Sequence, residues 1–417
     1  MGQQNHSFVP LILGTDFNAY GIVRTLYDQY GVHSHLYDIK RLPGTRWSSL
    51  VDVHLMDQEL RPDHLSETMV KVATRFKRQG LTPVLYACGD DYARIVSRHY
   101  QTLSRSIVVP YAAFDSLGEV STKSRFYRVC QQLKLPFPQT VTVVDNDRSV
   151  LSPLPFDFPV VVKADDNVAW HQIDFPHYRK VFIAYTQEEL NSALDMLQQH
   201  YHGSVIVQEY IPGKDNAMYV VNGYATQKGD VAVLSLGHGL LNDPNPIAVG
   251  NYLAIMPAYE PTVYRQVLKL VQHLHIQGLF NVDLKYDCRD SQFKMVDFNP
   301  RQGRSSFYTA VNGIPLATYP VAEFVQGGLE NSSSPLLAND QPAKRRLWLN
   351  VAPDTFVRYA PECAAKERAL SMIASHRFQS MLRNSADTNP LRRIIIRHTE
   401  RAFENELKSM RQEKVTR

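Results

Sequence analysis

Two short runs of sequence decide the fold of this chain: NVDLKYD at 281–287 and FKMVDFNPR at 293–301. Polar and apolar residues alternate in the first run, and the five residues between the two runs are enough for a hairpin loop. The simplest register places Asp283 opposite Asp297, with Cβ atoms about 4.5–5.5 Å apart. The apolar face of this hairpin is predicted to carry Val282, Leu284, Tyr286, Val296 and Phe298, and the polar face Asn281, Asp283, Lys285, Asp297, Asn299 and Arg301.

Two facing carboxylates repel each other unless a cation lies between them. Oxygen ligands of this kind suit Mg²⁺, or alternatively Mn²⁺, better than Zn²⁺. We therefore predict Asp283, Asp297 and Asn299 as metal ligands. Two other interpretations stay open from the pattern alone. Either the face is simply solvated, or Lys285 and Arg301 neutralise the carboxylates without a metal.

The composition is that of an ordinary globular protein, with 417 residues of which 44% are hydrophobic and 21% charged. The length favours two to three domains. No apolar run approaches about 18 residues, so we expect no membrane span. The N-terminal residues lack the basic region and cleavage site of a signal peptide. The cysteines lie far apart, which indicates reduced thiols and a cytoplasmic protein: Cys88, Cys130, Cys288 and Cys363.

Charge is unevenly distributed along the chain. Residues 341–417 carry 16 Lys and Arg against 8 Asp and Glu, whereas the whole chain has a net charge of only +4. A basic C-terminal quarter favours an acidic partner, such as a nucleotide-bearing substrate, an anionic lipid or nucleic acid. The alternative is a solvated helical surface.

The first 120 residues repeat one pattern, a short apolar strand followed by glycine and an acidic helix cap. It occurs at FVPLIL (8–13) and again at PVLYAC (83–88). This alternation predicts an open α/β sheet with ligand groups at the strand ends. Neither turn is G-x-G-x-x-G, so a dinucleotide site is not supported. The polar residues of the two turns are either ligand contacts or ordinary caps: Asp16, Asn18, Asp90 and Asp91.

Further elements follow along the chain. Strands are expected within 158–166 and 204–215, an amphipathic helix at 261–276, and a polar, proline-containing linker at 332–343. A basic helix over 391–414 has an apolar patch, which packs on the body of the protein or lies on an anionic membrane. We favour packing. The patch consists of Ile394 to Ile396, Phe403 and Leu407.

Four features occur in a fixed order: Lys163 at the end of a β-branched strand, QEYI at 208–211, NVDLKYD, and VDFNPR at 296–301. In this order they resemble the ATP-grasp superfamily. The resemblance implies ATP as cosubstrate, Mg²⁺ as metal, and a ligase that joins a carboxylate to an amine through an acyl phosphate. It also implies an ATP-grasp fold of α/β and α+β class. The implied parts are an N-terminal open α/β domain at 1–120, a central subdomain at 121–212, a C-terminal antiparallel-sheet subdomain at 213–330 and a basic helical extension at 344–417.

Several longer stretches resemble the D-aspartate ligase family within that superfamily. They are ILGTDFNAYGIVR (12–24), ACGDDYA (87–93), LGHGLLNDPNP (236–246) with GNY (250–252), and NPRQGRSSF (299–307). The resemblance implies a cytoplasmic enzyme that attaches the β-carboxylate of D-Asp to the lysine ε-amine of a UDP-linked muramyl peptide in peptidoglycan biosynthesis. Nucleic acid is not expected as a partner. Peripheral contact of the basic tail with an anionic membrane stays open.

Site residues follow from the resemblance, position by position. The residues implied in catalysis are Lys163, Arg301 and Arg304. Those implied in ATP binding are Lys123, Lys163, Gln208, Glu209, Tyr210, Ile211 and Asp215. Those expected to bind substrate are Asp16, Asn18, Arg301, Arg304, Ser305 and Ser306. Two arginines suit the two carboxylates of aspartate, but the sequence does not assign one arginine to each.

One segment departs from the superfamily pattern. The loop that usually covers phosphate is rich in glycine, whereas residues 164–180 contain none. The segment either closes as a side-chain lid, with Arg179 or Lys180 on phosphate, or serves the second substrate. Asp165 and Asp166 have no explained role there, and His238 is either a substrate contact or structural. The bulky and basic side chains of the segment are Trp170, His171, Phe175, His177, Arg179 and Lys180.

Two other functions fit the same sequence. One is an ATP-grasp ligase for another amino acid or acceptor amine, because nothing in the sequence reads the chirality of aspartate. The other is a nucleotide-binding module without chemistry, whose basic tail binds lipid or nucleic acid. A non-catalytic binder has no need for Asp283, Asp297 and Asn299 together, which argues against the second.

Overall fold

The computed structural model describes residues 7–56, 62–173, 178–245, 248, 250–329 and 334–415. Three β-sheets organise this part of the chain: a parallel sheet of four strands, an antiparallel sheet of four, and a large mixed sheet of eight. A cluster of buried apolar side chains packs against each of them. Short 3₁₀ turns lie at Phe114–Val120, Arg148–Leu151, Asp215–Ala217, Arg304–Ser306, Leu316–Thr318 and Pro342–Lys344.

The parallel sheet lies in the first part of the chain. Its strands are β1 (Phe8–Leu13), β2 (Ser34–Asp38), β3 (Val51–Leu55) and β4 (Thr82–Ala87), in the order β3-β2-β1-β4. The helices are α1 (Phe17–Tyr30), α2 (Pro62–Lys77), α3 (Asp90–Arg98) and α4 (Tyr100–Leu103). Asp16 caps α1 by accepting a hydrogen bond from the amide N–H of Ala19 at 2.9 Å. The open α/β arrangement predicted here is confirmed.

The antiparallel sheet of four strands follows. Its strands are β5 (Thr140–Val143), β6 (Val160–Ala164), β7 (Phe182–Ala184) and β8 (Val205–Glu209), in the order β5-β8-β6-β7. The helices are α5 (Lys123–Gln132), α6 (Asn167–His171) and α7 (Gln187–His200). Leu190, Leu194 and Leu197 recur at helical spacing in α7 and pack on Val160 and Val162 of the sheet. Because β6 pairs with β8, the lysine at the end of β6 lies beside β8.

The large sheet takes the rest of the chain. Its strands are β9 (Met218–Ala225), β10 (Val231–Asn242), β11 (Tyr252–Ala258), β12 (Gly278–Asp287), β13 (Gln292–Asn299), β14 (Leu336–Leu337), β15 (Leu347–Leu349) and β16 (Phe378–Gln379). They follow the order β13-β12-β9-β10-β11-β15-β16, with β14 paired to β10. The helices are α8 (Pro261–His273), α9 (Phe307–Val311), α10 (Tyr319–Phe324), α11 (Pro353–Tyr359), α12 (Ala364–Ala374) and α13 (Pro390–Val415).

The hairpin of β12 and β13 has the predicted register at the end that carries the polar residues. Asp283 faces Asp297, and Asn281 faces Asn299. On its other side β12 pairs with β9, where Asn281 faces Asn222. The paired carboxylates thus lie on two adjacent strands of the large sheet. β13 is its edge strand, and β12 has β13 on one side and β9 on the other.

Beyond this pair the hairpin departs from the prediction. A bulge shifts the register, so that Leu284 faces Met295. The expectation that Val296 belongs to the core face is wrong, because one extra residue in β13 reverses the alternation of side chains. Met295 is buried in its place, and Val296 is only partly buried.

Gly278 joins the large sheet to the segment that leaves the first sheet. It forms a bridge with Tyr111, and the amide of Leu279 donates to the carbonyl of Pro110 at 3.1 Å. Gly278 has φ +81°, and a Cβ there would lie 1.9 Å from the Pro110 carbonyl oxygen. Only glycine fits this close approach without a shift of the backbone.

The segment predicted as a linker is partly structured. Residues 332 and 333 lie outside the described part of the chain, but Leu336 and Leu337 form β14 and pair with Val233 and Leu234 of β10. The linker prediction is wrong for this stretch. Its two leucines add to the sheet, although the surrounding composition is that of a loop.

The C-terminal helix α13 packs on the body of the protein, as favoured from the sequence. Phe403 and Leu407 are 7% and 8% exposed and belong to a buried cluster with Leu349 and Phe356. Ile394, predicted to share the apolar patch, is 60% exposed. No helix in the described residues is both long and apolar enough to cross a membrane.

Candidate active site

The polar face of the hairpin lines a cavity of about 160 Å³. The loops that follow β1 and β4 reach the same cavity, as do residues 250–251 and the chain just after β13. Parallel strands present such loops at their carboxyl ends, where ligands bind in open α/β sheets. The cavity brings together these predicted site residues: Asp16, Asn18, Asp283, Asp297, Asn299, Arg301, Arg304 and Ser305.

The two facing carboxylates have different surroundings. The ammonium of Lys123 donates to Asp297 Oδ2 at 3.0 Å. Burial by itself would raise the pKa of Asp297, but the charges of Lys123, Lys180 and Lys163 hold it below its usual value. Burial, together with the charge of Asp297, raises the pKa of Asp283 to about 6. Asp297 is thus paired with a lysine, whereas a cation placed beside Asp283 would favour its charged form.

The oxygen donors of the hairpin fit Mg²⁺ in kind but not in number. They are the carboxylates of Asp283 and Asp297 and the amide oxygen of Asn299. No group of three or more His, Cys, Asp or Glu that could hold a metal ion occurs among the described residues. Mg²⁺ usually keeps waters and substrate phosphates as its other ligands, so few protein ligands suffice. This donor set suits a metal that arrives with a phosphate-bearing molecule.

Arg301 continues the polar row beyond Asn299. Its guanidinium pairs with Asp90 at 2.6 Å and donates to Asn299 Oδ1 at 3.2 Å. Burial would raise the pKa of Asp90, but Arg301 and other cations lower it to about 2. Asp90, which the sequence offered as a ligand contact or a cap, thus holds Arg301 in position. Asp91 is exposed.

Lys163 is buried at the end of β6, as its sequence context predicts. Its ammonium donates to the hydroxyl of Tyr127 at 2.9 Å and to Gln208 Oε1 at 3.0 Å. Burial, with the neighbouring charge of Lys123, lowers the pKa of Lys163 to about 7. An anion placed beside it would favour the charged form again. Gln208 therefore contributes its side chain to the lysine, in addition to any backbone contact with a ligand.

The residues after Gln208 that were expected to bind ATP line the same strand end. Glu209 pairs with Arg289 at 2.8 Å. Lys285 lies over the ring of Tyr210, with Nζ 5.0 Å from the centroid. Ile211 is buried. The side chains of this segment are thus engaged within the protein, and its role in ATP binding stays a prediction.

Asp215 and His238 lie near each other on the large sheet. Asp215 Oδ2 accepts the amide N–H of Asn242 at 3.0 Å. His238 Nε2 is 2.7 Å from the carbonyl oxygen of Asn216, and its ring stacks on Tyr219 at 4.1 Å. Burial lowers the pKa of His238 to about 4. These contacts support the structural interpretation of this histidine.

The structure explains the two aspartates that had no role in the sequence. Asp165 accepts hydrogen bonds from the amide and the hydroxyl of Ser124, both at 2.7 Å, at the start of α5. Asp166 caps α6 and forms two hydrogen bonds with Arg94, at 2.7 and 2.9 Å. Both carboxylates are therefore hydrogen-bonded inside the protein, and Asp166 is also paired with a cation.

The described parts of the glycine-free segment, residues 164–173 and 178–180, pack against the core. Trp170 is fully buried, and its ring N–H donates to the carbonyl of Arg179 at 3.0 Å. Arg179 has an exposed side chain, whereas Lys180 lines the cavity. Burial, together with Lys123, lowers the pKa of Lys180. Phe175 and His177 lie outside the described residues.

Arg304 lines the same cavity as the carboxylate pair. Its Nη1 pairs with Asp243 at 2.8 Å, and the two side chains are only 8% and 3% exposed. Its Nε and Nη2, like Asn18 Oδ1, are buried and have no hydrogen-bond partner among the described residues. Burial raises the pKa of Asp16. This wall therefore offers unused donors and acceptors to a small polar ligand.

Of the two serines predicted to bind substrate, the structure brings only one to the cavity. Ser305 lines it and exchanges hydrogen bonds with Asn222 at 3.2 Å. Ser306 lines a separate small cavity beside Ile22 and Thr25 of α1. A tight 3₁₀ turn at this point sends consecutive side chains in different directions.

The sequence assigned no role to Asp243 or Tyr127. Asp243 forms an ion pair with Arg304, and the Tyr127 hydroxyl accepts a hydrogen bond from Lys163. Asp243 follows the long strand β10 within LGHGLLNDPNP. An acidic residue directly after a buried strand needs a cationic partner if it is buried as well. That signal was present, but the sequence did not indicate which cation it meets.

Solved structures with the same architecture identify the fold. An L-amino acid ligase from Bacillus licheniformis matches 76% of this chain and 74% of its own, with a TM-score of 0.55 and 14% identity. The biotin carboxylase domain of Hydrogenobacter thermophilus 2-oxoglutarate carboxylase, solved with MgADP and bicarbonate, matches 79% and 72%, with a TM-score of 0.58 and 13% identity. The fold is that of the ATP-grasp enzymes. No protein-family model matches the chain.

A closer relationship is visible in the sequence. The D-aspartate ligase of Enterococcus faecium (strain Aus0004) is 33% identical over 402 residues, which are 95% of this chain and 94% of that protein. The chain belongs to the D-aspartate ligase family and is an ATP-grasp carboxylate–amine ligase. The predictions of fold, superfamily and enzyme class are confirmed.

Proposed function

We propose that this protein uses ATP and Mg²⁺ to join the β-carboxylate of D-aspartate to the lysine ε-amine of a UDP-linked muramyl peptide. One observation carries the proposal. A single cavity holds the facing carboxylates Asp283 and Asp297 with Arg301 on one side, and a buried Arg304 with unpartnered N–H groups on the other. The kinship to an enterococcal D-aspartate ligase supports the choice of amino acid.

The nucleotide half of the site is cationic. Lys123, Lys163 and Lys180 are buried or partly buried close to Asp297, which lowers its pKa. Three lysines close to a single carboxylate, Asp297, leave positive charge for the phosphates of ATP. The lysines would bind these phosphates as point charges. Asp283, Asp297 and Asn299 would hold Mg²⁺. Bound there with ATP, Mg²⁺ neutralises charge that develops on the phosphate oxygens during transfer.

The amino-acid half of the site divides the two carboxylates of aspartate between two arginines. Arg304 can offer Nε and Nη2 to the α-carboxylate, because Asp243 takes only Nη1. Arg301 lies beside Asn299, next to the phosphate side, and would contact the β-carboxylate that reacts. Asp16 and Asn18 line the same wall and would accept from the α-ammonium group. Three separate contacts of this kind are enough to distinguish D- from L-aspartate.

The chemistry has two steps. In the first, an oxygen of the β-carboxylate attacks the γ-phosphorus of ATP, which forms an acyl phosphate and releases ADP. In the second, the lysine amine attacks the acyl carbon, phosphate leaves, and the amine loses a proton to give the amide. Lys163 and Arg301 position the reacting groups and stabilise negative charge as it moves.

A UDP-linked acceptor places the reaction in the cytoplasm. The basic tail adds a second element to the proposal. The exposed Ile394 and the arginines of α13 would allow peripheral contact with an anionic membrane. No nucleic-acid partner is proposed.

Amino-acid-dependent ADP release tests this proposal. The purified protein with ATP and Mg²⁺ is given D-Asp, L-Asp, D-Glu or D-Asn, each with and without a lysine-containing UDP-muramyl peptide. In parallel, hydroxylamine replaces the peptide to trap the acyl phosphate. We expect ADP release and hydroxamate with D-Asp, little with L-Asp, and none with D-Asn, which lacks the β-carboxylate. Release with a different amino acid alone would move the assignment to another substrate, and no release with any of them would reject it.

A further inference from the structure

We propose that the C-terminal helix α13 is a positioning element of the amino-acid site, acting through the ring of Phe403, which fixes the guanidinium of Arg304. This inference rests on the proposed function, in which Arg304 binds the spectator carboxylate. It gives the C-terminal segment a role in substrate affinity, where the sequence offered only packing or a membrane contact.

Arg304 is held on three sides. Its guanidinium lies over the ring of Phe17, 4.9 Å from the centroid, and over the ring of Phe403, 5.7 Å away. The two rings are 6.0 Å apart. Asp243 fixes the third side through Nη1 at 2.8 Å. These contacts restrain the planar group, although the three residues that make them come from distant parts of the chain.

The kind of contact matters as much as the restraint. An aromatic face attracts a guanidinium but takes none of its N–H groups. Within the described part of the chain, Arg304 thus keeps Nε and Nη2 without partners in a buried position. A buried unpaired donor costs free energy unless a ligand accepts from it, and Arg304 has two such nitrogens. Donors that are oriented and left unpaired suit a planar ligand such as a carboxylate.

A second contact ties the same helix to the opposite end of this wall. Arg392 of α13 is fully buried and donates to the carbonyls of Pro43, Gly44 and Arg46 at 2.7–3.1 Å. Gly44 lies against Asp16, and a Cβ on it would be 2.2 Å from the Asp16 carbonyl carbon. The loop that α13 holds therefore supports the backbone of Asp16, the other end of the amino-acid site.

The helix offers a matched pair of residues for a test. Phe403 and Leu407 lie one turn apart, are almost equally buried and belong to the same apolar cluster. In the described residues, Phe403 has its ring beneath Arg304, whereas Leu407 has no ring to offer a cation. Phe403→Leu keeps an apolar side chain of similar size but removes the aromatic face. Leu407→Ala removes buried volume from the same cluster and leaves the aromatic face intact.

The experiment measures KM for the amino acid and KM for ATP, by ADP release, in the full-length wild type and in each variant. We expect Phe403→Leu to raise KM for D-Asp about tenfold, in line with a partly desolvated cation–π contact, with little change in KM for ATP. Phe403→Tyr, which restores the ring, should return KM to near the wild-type value. Leu407→Ala should lower the melting temperature at least as much as Phe403→Leu and leave KM for D-Asp unchanged.

The decisive measurement is the effect of Phe403→Leu on KM for D-Asp in a variant that also lacks Arg304. In an Arg304→Lys background, Phe403→Leu should raise KM for D-Asp by much less than tenfold, because the planar group it orients is gone. Equal effects of Phe403→Leu and Leu407→Ala, or full additivity with Arg304→Lys, would overturn the inference while the proposed function stands. A wild type that releases no ADP with any amino acid would reject the proposed function, and the inference with it.

Discussion

The two walls of the cavity are built in different ways. The wall of the hairpin takes its polar side chains from 281–301, one continuous stretch of the chain. The other wall takes Asp16 and Arg304 from two separate segments, and Arg304 is held by Asp243 and Phe403 from two more. Both walls are buried and charged, but only the first is a local structure.

This difference shows how a ligase can combine fixed chemistry with adjustable selectivity. Strand pairing alone places Asp283 opposite Asp297, so the hairpin wall, to which we assign the chemistry, persists as long as the hairpin forms. The amino-acid wall depends on how remote elements pack, so its geometry responds to changes in the loops and in α13. Damage to the first wall should therefore affect the rate, and damage to the second should affect the affinity for the amino acid.

The largest effect is expected from Asp297→Asn on the hairpin wall. The substitution keeps the shape of the side chain but removes a charge that Lys123 and the proposed metal both need. We expect kcat to fall on the order of a thousandfold, as it does when a group that stabilises transition-state charge is lost. Steady-state ADP release with D-Asp and acceptor measures it.

Asp290→Asn is the control for this substitution. Asp290 lies in the loop of the same hairpin and pairs with Lys294 at 2.7 Å, away from the cavity. It should retain wild-type kcat. Comparable losses in both variants would mean that the hairpin fold, and not the carboxylate at 297, sets the rate.

A smaller effect, on stability, is expected where the hairpin meets the first sheet. Gly278 and Gly313 both have φ +81°, but only Gly278 is crowded, by the Pro110 carbonyl, and Gly313 has open space around its Cβ position. Gly313→Ala should cost about 1–2 kcal/mol of unfolding free energy for the left-handed backbone alone. Gly278→Ala should cost about 1–3 kcal/mol more because of the clash.

Chemical denaturation of the two glycine variants measures this difference. If Gly278→Ala were as stable as Gly313→Ala, the backbone at the contact between Gly278 and Pro110 would move apart without loss of unfolding free energy. The hairpin wall would then be independent of the first sheet, contrary to its close approach to Pro110.

The smallest effect is expected at Lys180, which lines the cavity between the two walls. Lys180→Gln should lower kcat/KM for ATP about ten- to a hundredfold, the usual cost of losing one hydrogen bond to a charged group. Arg179→Gln is the neighbouring control, because its side chain is exposed and outside the cavity. Equal kinetic effects at 179 and 180 would assign phosphate recognition to the segment as a whole.

Much of the hairpin wall could be predicted from the sequence, and much of the other wall could not. Strict alternation gave the facing pair Asp283 and Asp297 correctly, because side-chain direction in a strand is a local property. The same rule was wrong at Val296, because a bulge depends on how both strands fit the sheet. No local pattern marks such a site.

The amino-acid wall shows the limit more clearly. Arg304 was predicted from its likeness to the family, but its partner Asp243 and its flanking rings were not. Ser306 was expected beside Ser305 and lies in another cavity. The partner of Asp165 is Ser124, 41 residues away in the chain, which no local pattern indicates.

The sequence by itself determined the order of elements, the superfamily and a hairpin that presents two carboxylates side by side. These features depend on periodicity and on residues close together in the chain, where backbone geometry fixes direction. Only the tertiary structure decided which buried charges are already neutralised and which keep donors for a ligand. That outcome depends on contacts between segments hundreds of residues apart, and such contacts arise from the packing of the whole molecule.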